Sequence, residues 1–204
     1  MTRTAFALAV LLTATSFAPA GKFNKTLSVG DAAPAWEGLE GTDGKKHALS
    51  DLKEKDVVVV VFTCNSCPVA VGYEARLLDF AAKHAAPESK VAVVAINVNT
   101  IKDDALPAMK ERAVKKKYPF PYLYDPSQQI AKQFGADYTP EFFVLDKDRK
   151  VVYLGAMDDK SPPAEASTSY LEAAVKAALE GKKPDTGETL ARGCRIRWER
   201  KKED

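Results

Sequence analysis

The sequence predicts an α/β fold: a central mixed β-sheet flanked by helices on both faces, with a C-terminal extension. Three observations carry this. Val57–Phe62 is a continuous β-branched run, the pattern of a strand buried on both faces and too short for a helix that is apolar all round. Val91–Asn97 repeats that pattern after a helical stretch, so strand and helix alternate as in right-handed parallel crossovers. Two apolar runs at 142–145 and 151–154 then flank the polar turn 146–149, which implies a closing antiparallel hairpin.

The elements follow in chain order. Gly30-Asp31-Ala32-Ala33-Pro34 is an irregular entry segment, and Asp43-Gly44 is the turn of a short hairpin. Leu49-Ser50-Asp51-Leu52 is a brief turn before the first buried strand. A helix is expected from Pro68 to His84, where Leu77, Leu78 and Ala81 recur at helical spacing among Glu74, Arg76, Asp79 and Lys83. Proline suits its first position, where the missing N–H would have had no partner. After 91–97, Asp103 or Asp104 is read as the cap of a helix reaching Lys117, with Pro107 in its first turns. Residues 122–124 are a brief extended piece, and Pro126-Ser127 opens a short helix ending near Phe134-Gly135. A last helix is expected over 167–179, stopped by Gly181. Residues 182–204 are polar except near Ile196 and Trp198, a segment that either wraps back through Trp198 or stays mobile.

Residues 1–20 read as a signal peptide. Arg3 precedes an apolar stretch from Ala5 to Thr15, and Ala18-Pro19-Ala20 fits a cut before Gly21. The stretch falls short of the ~20 residues that span a bilayer comfortably. The expected mature protein is therefore exported, periplasmic or extracellular, with no stable membrane insertion after cleavage, where disulfides persist. The expected division is residues 1–20, one domain over 21–181, and the extension 182–204. With 30 basic against 28 acidic residues in the whole chain, nothing argues for a nucleic-acid partner or an anionic surface. The basic clusters at 115–117 and in the tail read as solvated surface.

The chemistry concentrates at Cys64-Asn65-Ser66-Cys67, a C-x-x-C between the first buried strand and a helix. A helix N-terminus carries unpaired N–H groups and partial positive charge, which favour a thiolate. Half of a zinc site would need a second ligand pair, which Cys194, His47 and His84 do not supply. Haem attachment needs a histidine where Pro68 stands, and a purely structural short-loop disulfide remains an alternative. No metal and no cofactor is called for.

Beyond the cysteines, several motifs over residues 28–181 make the chain resemble a thioredoxin-fold redoxin, of the group of peroxiredoxin-like (AhpC-TSA-like) and exported thiol–disulfide oxidoreductases. They are the G-D-A-A-P at 30–34, D-G-K-K-H-A-L-S-D-L at 43–52, the strand–C-x-x-C–helix unit, Tyr138-Thr139-Pro140, and Leu145-Asp146-Lys147 with Lys150-Val151-Val152. The resemblance implies a thioredoxin-like fold with Pro140 in the cis form beside the dithiol, and the Thr139 backbone open to an extended substrate. The chain departs from the family in Thr63 before the first cysteine, in Asn65-Ser66 between the two, and in the extension with Gly193-Cys194-Arg195-Ile196-Arg197-Trp198. Together with Asp158-Asp159, these resemble little-characterised exported bacterial redoxins.

The expected activity is thiol–disulfide exchange with protein or small thiol substrates and a redox partner, by a monomer. Cys64, taken as the more exposed sulfur and nearest the helix start, would attack, and the more buried Cys67 would resolve. Glu74 is a candidate accessory for proton transfer, against the plainer reading of an exposed helix carboxylate. Cys194 is expected to pack with Ile196 and Trp198, the other roles being a third redox partner for Cys64 or an intermolecular link. Two further readings stand beside this one: a peroxiredoxin-like peroxidase with Cys67 peroxidatic, and a non-enzymatic redoxin or metal-binding module.

Overall fold

The structure, a computed structural model, describes residues 21–84, 86–160 and 168–199. The leader at 1–20 and the expected helix start at residue 167 lie outside the described residues. Seven strands form one sheet in the order β2-β1-β5-β4-β3-β7-β8. β1 (Leu39–Gly41) and β2 (Lys46–His47) make the hairpin around Gly44, whose φ of 77° is the left-handed geometry that such a turn requires. β3 (Val57–Phe62), β4 (Val91–Asn97) and β5 (Tyr122–Tyr124) run parallel. β7 (Glu141–Leu145) pairs antiparallel with both β3 and β8 (Val151–Gly155), the closing hairpin.

The pleat sorts the core. Val57, Val59 and Val61 of β3 face one side, against α1 (Pro68–Lys83), Met109 of α2 (Leu106–Lys116), and Leu171, Ala174 and Val175 of α4 (Tyr170–Leu179). Val58, Val60 and Phe62 face the other, against Ile130, Ala131 and Phe134 of α3 (Gln129–Phe134) and the entry residue Trp36. Every β3 side chain is fully buried, so the strand is a two-sided core element. Phe62, Phe134 and Phe143 meet edge-on with centroids 5.1–5.8 Å apart. The fold is thus the expected mixed sheet with helices on both faces.

Two readings change. Asp104 does not cap α2: Lys102–Asp104 is a separate 3-10 turn, and Ala105 occupies the cap position without a side-chain bond. The tail is also more than a polar appendage. Thr189 bonds Leu154 through its backbone, and its hydroxyl meets Tyr153 Oη (2.7 Å) and accepts from the Ala156 N–H. Arg197 N–H donates to Asn99, and Gln128 Nε2 donates to the Arg197 carbonyl. The buried anchor is Ile196, 3% exposed, whereas Trp198 is 37% exposed with Lys132 over its ring. The segment wraps back, through Ile196. Its β9 (Cys194–Arg195) pairs with β6 (Tyr138–Thr139) as a second, two-stranded sheet.

Candidate active site

The C-x-x-C loop joins the end of β3 to α1. Two carboxylates and a proline fix it. Asp104, fully buried, accepts the Asn65 and Ser66 backbone N–H groups (2.7 and 2.9 Å), the Ser66 hydroxyl (2.6 Å) and Asn99 Nδ2 (3.0 Å). The polar Asn65-Ser66 dipeptide is therefore tied down at the C-terminal end of the parallel strands. Opposite the loop, the Thr139-Pro140 peptide is cis, as expected from the resemblance. Glu141, the next residue, is buried and accepts the Asp137 and Tyr138 N–H groups (2.9 and 3.0 Å), which holds β6 in place. Burial pushes the Glu141 carboxyl up to about 7, against the pull of those two amides.

Cys64 and Cys67 are free thiols, both buried, at 5% and 3% exposure. The expected contrast between an exposed Cys64 and a buried Cys67 is absent. The helix begins at Pro68, which makes Cys67 the N-cap, and its Sγ accepts the Ala70 N–H at 3.3 Å. The helix end therefore serves Cys67, and Cys64 lies a turn upstream of it. Cys64 Sγ is 3.4 Å from Thr139 Oγ1 and 3.8 Å from Ser66 Oγ. The Thr139 carbonyl lies 3.0 Å from Cys67 Sγ, where it accepts the S–H whenever Cys67 is protonated.

The two thiols pack together, so the proton kept by one favours ionisation of the other. Cys67 is drawn well below the ordinary thiol range, first by the neighbouring Cys64 thiol, then by that of Cys194 and by the Ala70 N–H, with burial opposing. Cys64 is driven up, first by the neighbouring Cys67, then by burial and by the negative charge of Asp104, with the Thr139 hydroxyl opposing. These neighbours favour a thiolate on Cys67 over one on Cys64, whereas the sequence reading had Cys64 attack.

Cys194 lies at this site. It packs against Cys64, Cys67 and Ala70, and its thiol helps to lower that of Cys67, where the sequence offered Cys64 as its redox partner. Its residue stands opposite Thr139 in the β6–β9 pairing, so the backbone edge expected to receive substrate is held by the chain's own tail.

Glu74 lines a small cavity with Thr63 and Cys64, and it is not the exposed helix carboxylate of the plainer reading. It is buried, and takes Arg112 Nε (2.7 Å), Tyr118 Oη (2.6 Å) and Lys116 Nζ (3.0 Å), which together hold it in the carboxylate form against burial. A carboxylate so occupied clasps α1 to α2. Asp158 likewise is buried and binds Arg76 and the Tyr73 hydroxyl. Sequence reasoning missed Asp104 and Glu141. The available signal was two donors, Asn65 and Ser66, in a loop that needed an acceptor, and a glutamate inside an otherwise apolar strand. Among the described residues no group of three or more His, Cys, Asp or Glu is arranged to hold a metal ion, and no helix is long and apolar enough to cross a membrane.

Comparison with known proteins places this geometry. The family described as Redoxin matches residues 28–171. The chain is 32% identical over 135 residues to the thiol-disulfide oxidoreductase ResA of Bacillus subtilis, covering 65% of this chain and 69% of that protein. Among solved structures, a hypothetical protein of Sinorhizobium meliloti superposes with a TM-score of 0.79 at 34% identity, covering 86% of this chain and 97% of the other. A candidate thiol:disulfide interchange protein DsbE of Chlorobium tepidum gives 0.59 at 27%, covering 75% and 99%.

Proposed function

Since the chain belongs to the redoxin family and is an oxidoreductase with a thioredoxin-like fold, we propose that its reaction is thiol–disulfide exchange through a Cys64–Cys67 dithiol/disulfide couple, on protein or small-thiol substrates outside the cytoplasm. The observation that carries this is the pair of free, buried cysteines packed together at the start of α1, both sulfurs against Thr139 of the cis Thr139-Pro140 peptide. In the proposed cycle the Cys67 thiolate attacks one sulfur of a substrate disulfide, and the other leaves as a thiolate. Cys64 then gives up its proton and attacks Cys67 in the mixed disulfide. The second substrate sulfur leaves and takes up that proton. The protein ends as disulfide and the substrate as dithiol; run backwards, the same steps oxidise a substrate. Thr139 can donate its hydroxyl hydrogen to Cys64 as charge develops there.

The test is reduction of insulin disulfides by the purified protein with a dithiol reductant. Turnover is expected to fall by about 100-fold or more in both Cys64→Ser and Cys67→Ser. Unchanged turnover in either variant contradicts the couple.

The low-lying Cys67 thiol also fits a second reading, peroxide reduction, in which Cys67 becomes a sulfenic acid and condenses with Cys64, releasing water. Rapid peroxide consumption that survives Cys64→Ser and disappears in Cys67→Ser favours this reading over the first.

A further inference from the structure

The tail is built to dock at the two cysteines. β9 lies antiparallel on β6 with Cys194 opposite Thr139, and the Ile196 N–H donates to the Asp137 carbonyl at 2.8 Å. Gly193 makes the approach. A Cβ there would lie 2.1 Å from the Thr139 carbonyl oxygen and 3.0 Å from the Pro140 nitrogen, a closeness that only glycine permits. The consequence is that Cys194 is packed against Cys64 and Cys67. Cys194 is also half-buried and more open than either partner; burial and the neighbouring Cys67 push its thiol up, with Arg197 pulling the other way.

From this arrangement we infer that Cys194 is a second resolving cysteine of the same site, able to close a Cys67–Cys194 disulfide in place of Cys64–Cys67. The inference rests on the proposed exchange chemistry. The step balances without any further oxidant. Cys67 first exchanges with a substrate disulfide, so Cys67 and one substrate sulfur are joined. Cys194 loses its proton and bonds to Cys67 Sγ. The Cys67–substrate bond breaks, and the substrate sulfur leaves with the electron pair and takes up the proton. Two thiols have been oxidised and one substrate disulfide reduced. Because its backbone holds the Thr139 edge, Cys194 attacks from the position an extended substrate strand would otherwise take.

The experiment uses the full chain carrying Cys64→Ser, with oxidised glutathione as the substrate disulfide. Acid-quenched samples are alkylated and peptide-mapped. The expected product is a Cys67–Cys194 disulfide in most molecules with no bound glutathione. In the Cys64→Ser, Cys194→Ser double variant the Cys67–glutathione mixed disulfide should persist roughly tenfold longer or more. If Cys64→Ser perturbs folding, Cys64→Ala in the same series gives the same readout. A stable Cys67–glutathione adduct with Cys194 still alkylatable overturns the inference alone. Failure of Cys67 to react with glutathione disulfide in the wild-type protein as well overturns the proposed function and the inference together.

Discussion

Asp104 shows how one residue sets the character of the pair. Its carboxylate collects four donors from the C-x-x-C loop and Asn99, which freezes the loop. Its charge also disfavours a thiolate on Cys64, while the helix amide favours one on Cys67. Together with the effect of each thiol on the other and with burial, these neighbours make two chemically identical thiols unequal. Glu141 has a consequence measurable on the folded protein. Its carboxyl is raised to about 7 in the fold, above an ordinary 4.5, so the native state holds a proton that the unfolded chain releases first. Stability must then fall as pH rises from about 4.5 through 7, by on the order of 3 kcal/mol from this group. Below that window the group makes no difference, since both states are protonated. Glu141→Gln keeps an oxygen for the Asp137 and Tyr138 amides and removes the titration. Urea unfolding at stepped pH should show the wild-type midpoint declining across the window and the variant's staying level in comparison. Parallel curves would mean that Glu141 does not titrate there.

At the scale of elements, the sequence was legible where a pattern is continuous. The bounds of β3 and β4 follow from unbroken apolar runs, and α1 from the Leu77–Ala81 stripe closed by Pro68 at the start. The β6–β9 pair was not legible. Each strand is two residues long, they lie 55 residues apart, and neither has an alternating pattern long enough to announce a partner. The helix start shows a subtler failure. Placing it at Pro68 was right, but the N-cap is then Cys67, so the thiolate-favouring end belonged to the second cysteine from the outset. Gly193 tests the docking of β9. In Gly193→Ala the new methyl group collides with the Thr139 backbone, which cannot swing aside as a side chain could. The amides of Ile196 and Arg197, bonded to Asp137 and Asn99, are expected to exchange with solvent about tenfold faster or more, with β3 and β4 amides unaffected. Unchanged protection in the tail would show that β9 is not seated by this contact.

Across the whole molecule, the sheet places the reactive loop at the C-terminal end of β3, between the Asp104 turn that follows β4 and the cis-proline turn that precedes β7. The motif and family resemblance reached that far from sequence, because the strand–C-x-x-C–helix unit and Thr139-Pro140 are local signals. The three-sulfur grouping stood there only as an alternative to packing with Ile196 and Trp198, since Cys194 reaches the site only by folding the tail across β8 and β6. The most direct test of the account is a redox titration of the purified protein against glutathione buffers, acid-quenched and read by alkylation and peptide mapping. Cys64 and Cys67 should lose their free thiols together in a single two-electron transition, tenfold in oxidised-to-reduced ratio for each ~30 mV, with the Cys64–Cys67 disulfide as the main product. Cys64 and Cys67 still freely alkylatable at the oxidising end, or Cys67 oxidised while Cys64 remains free with no disulfide to either cysteine, would contradict it.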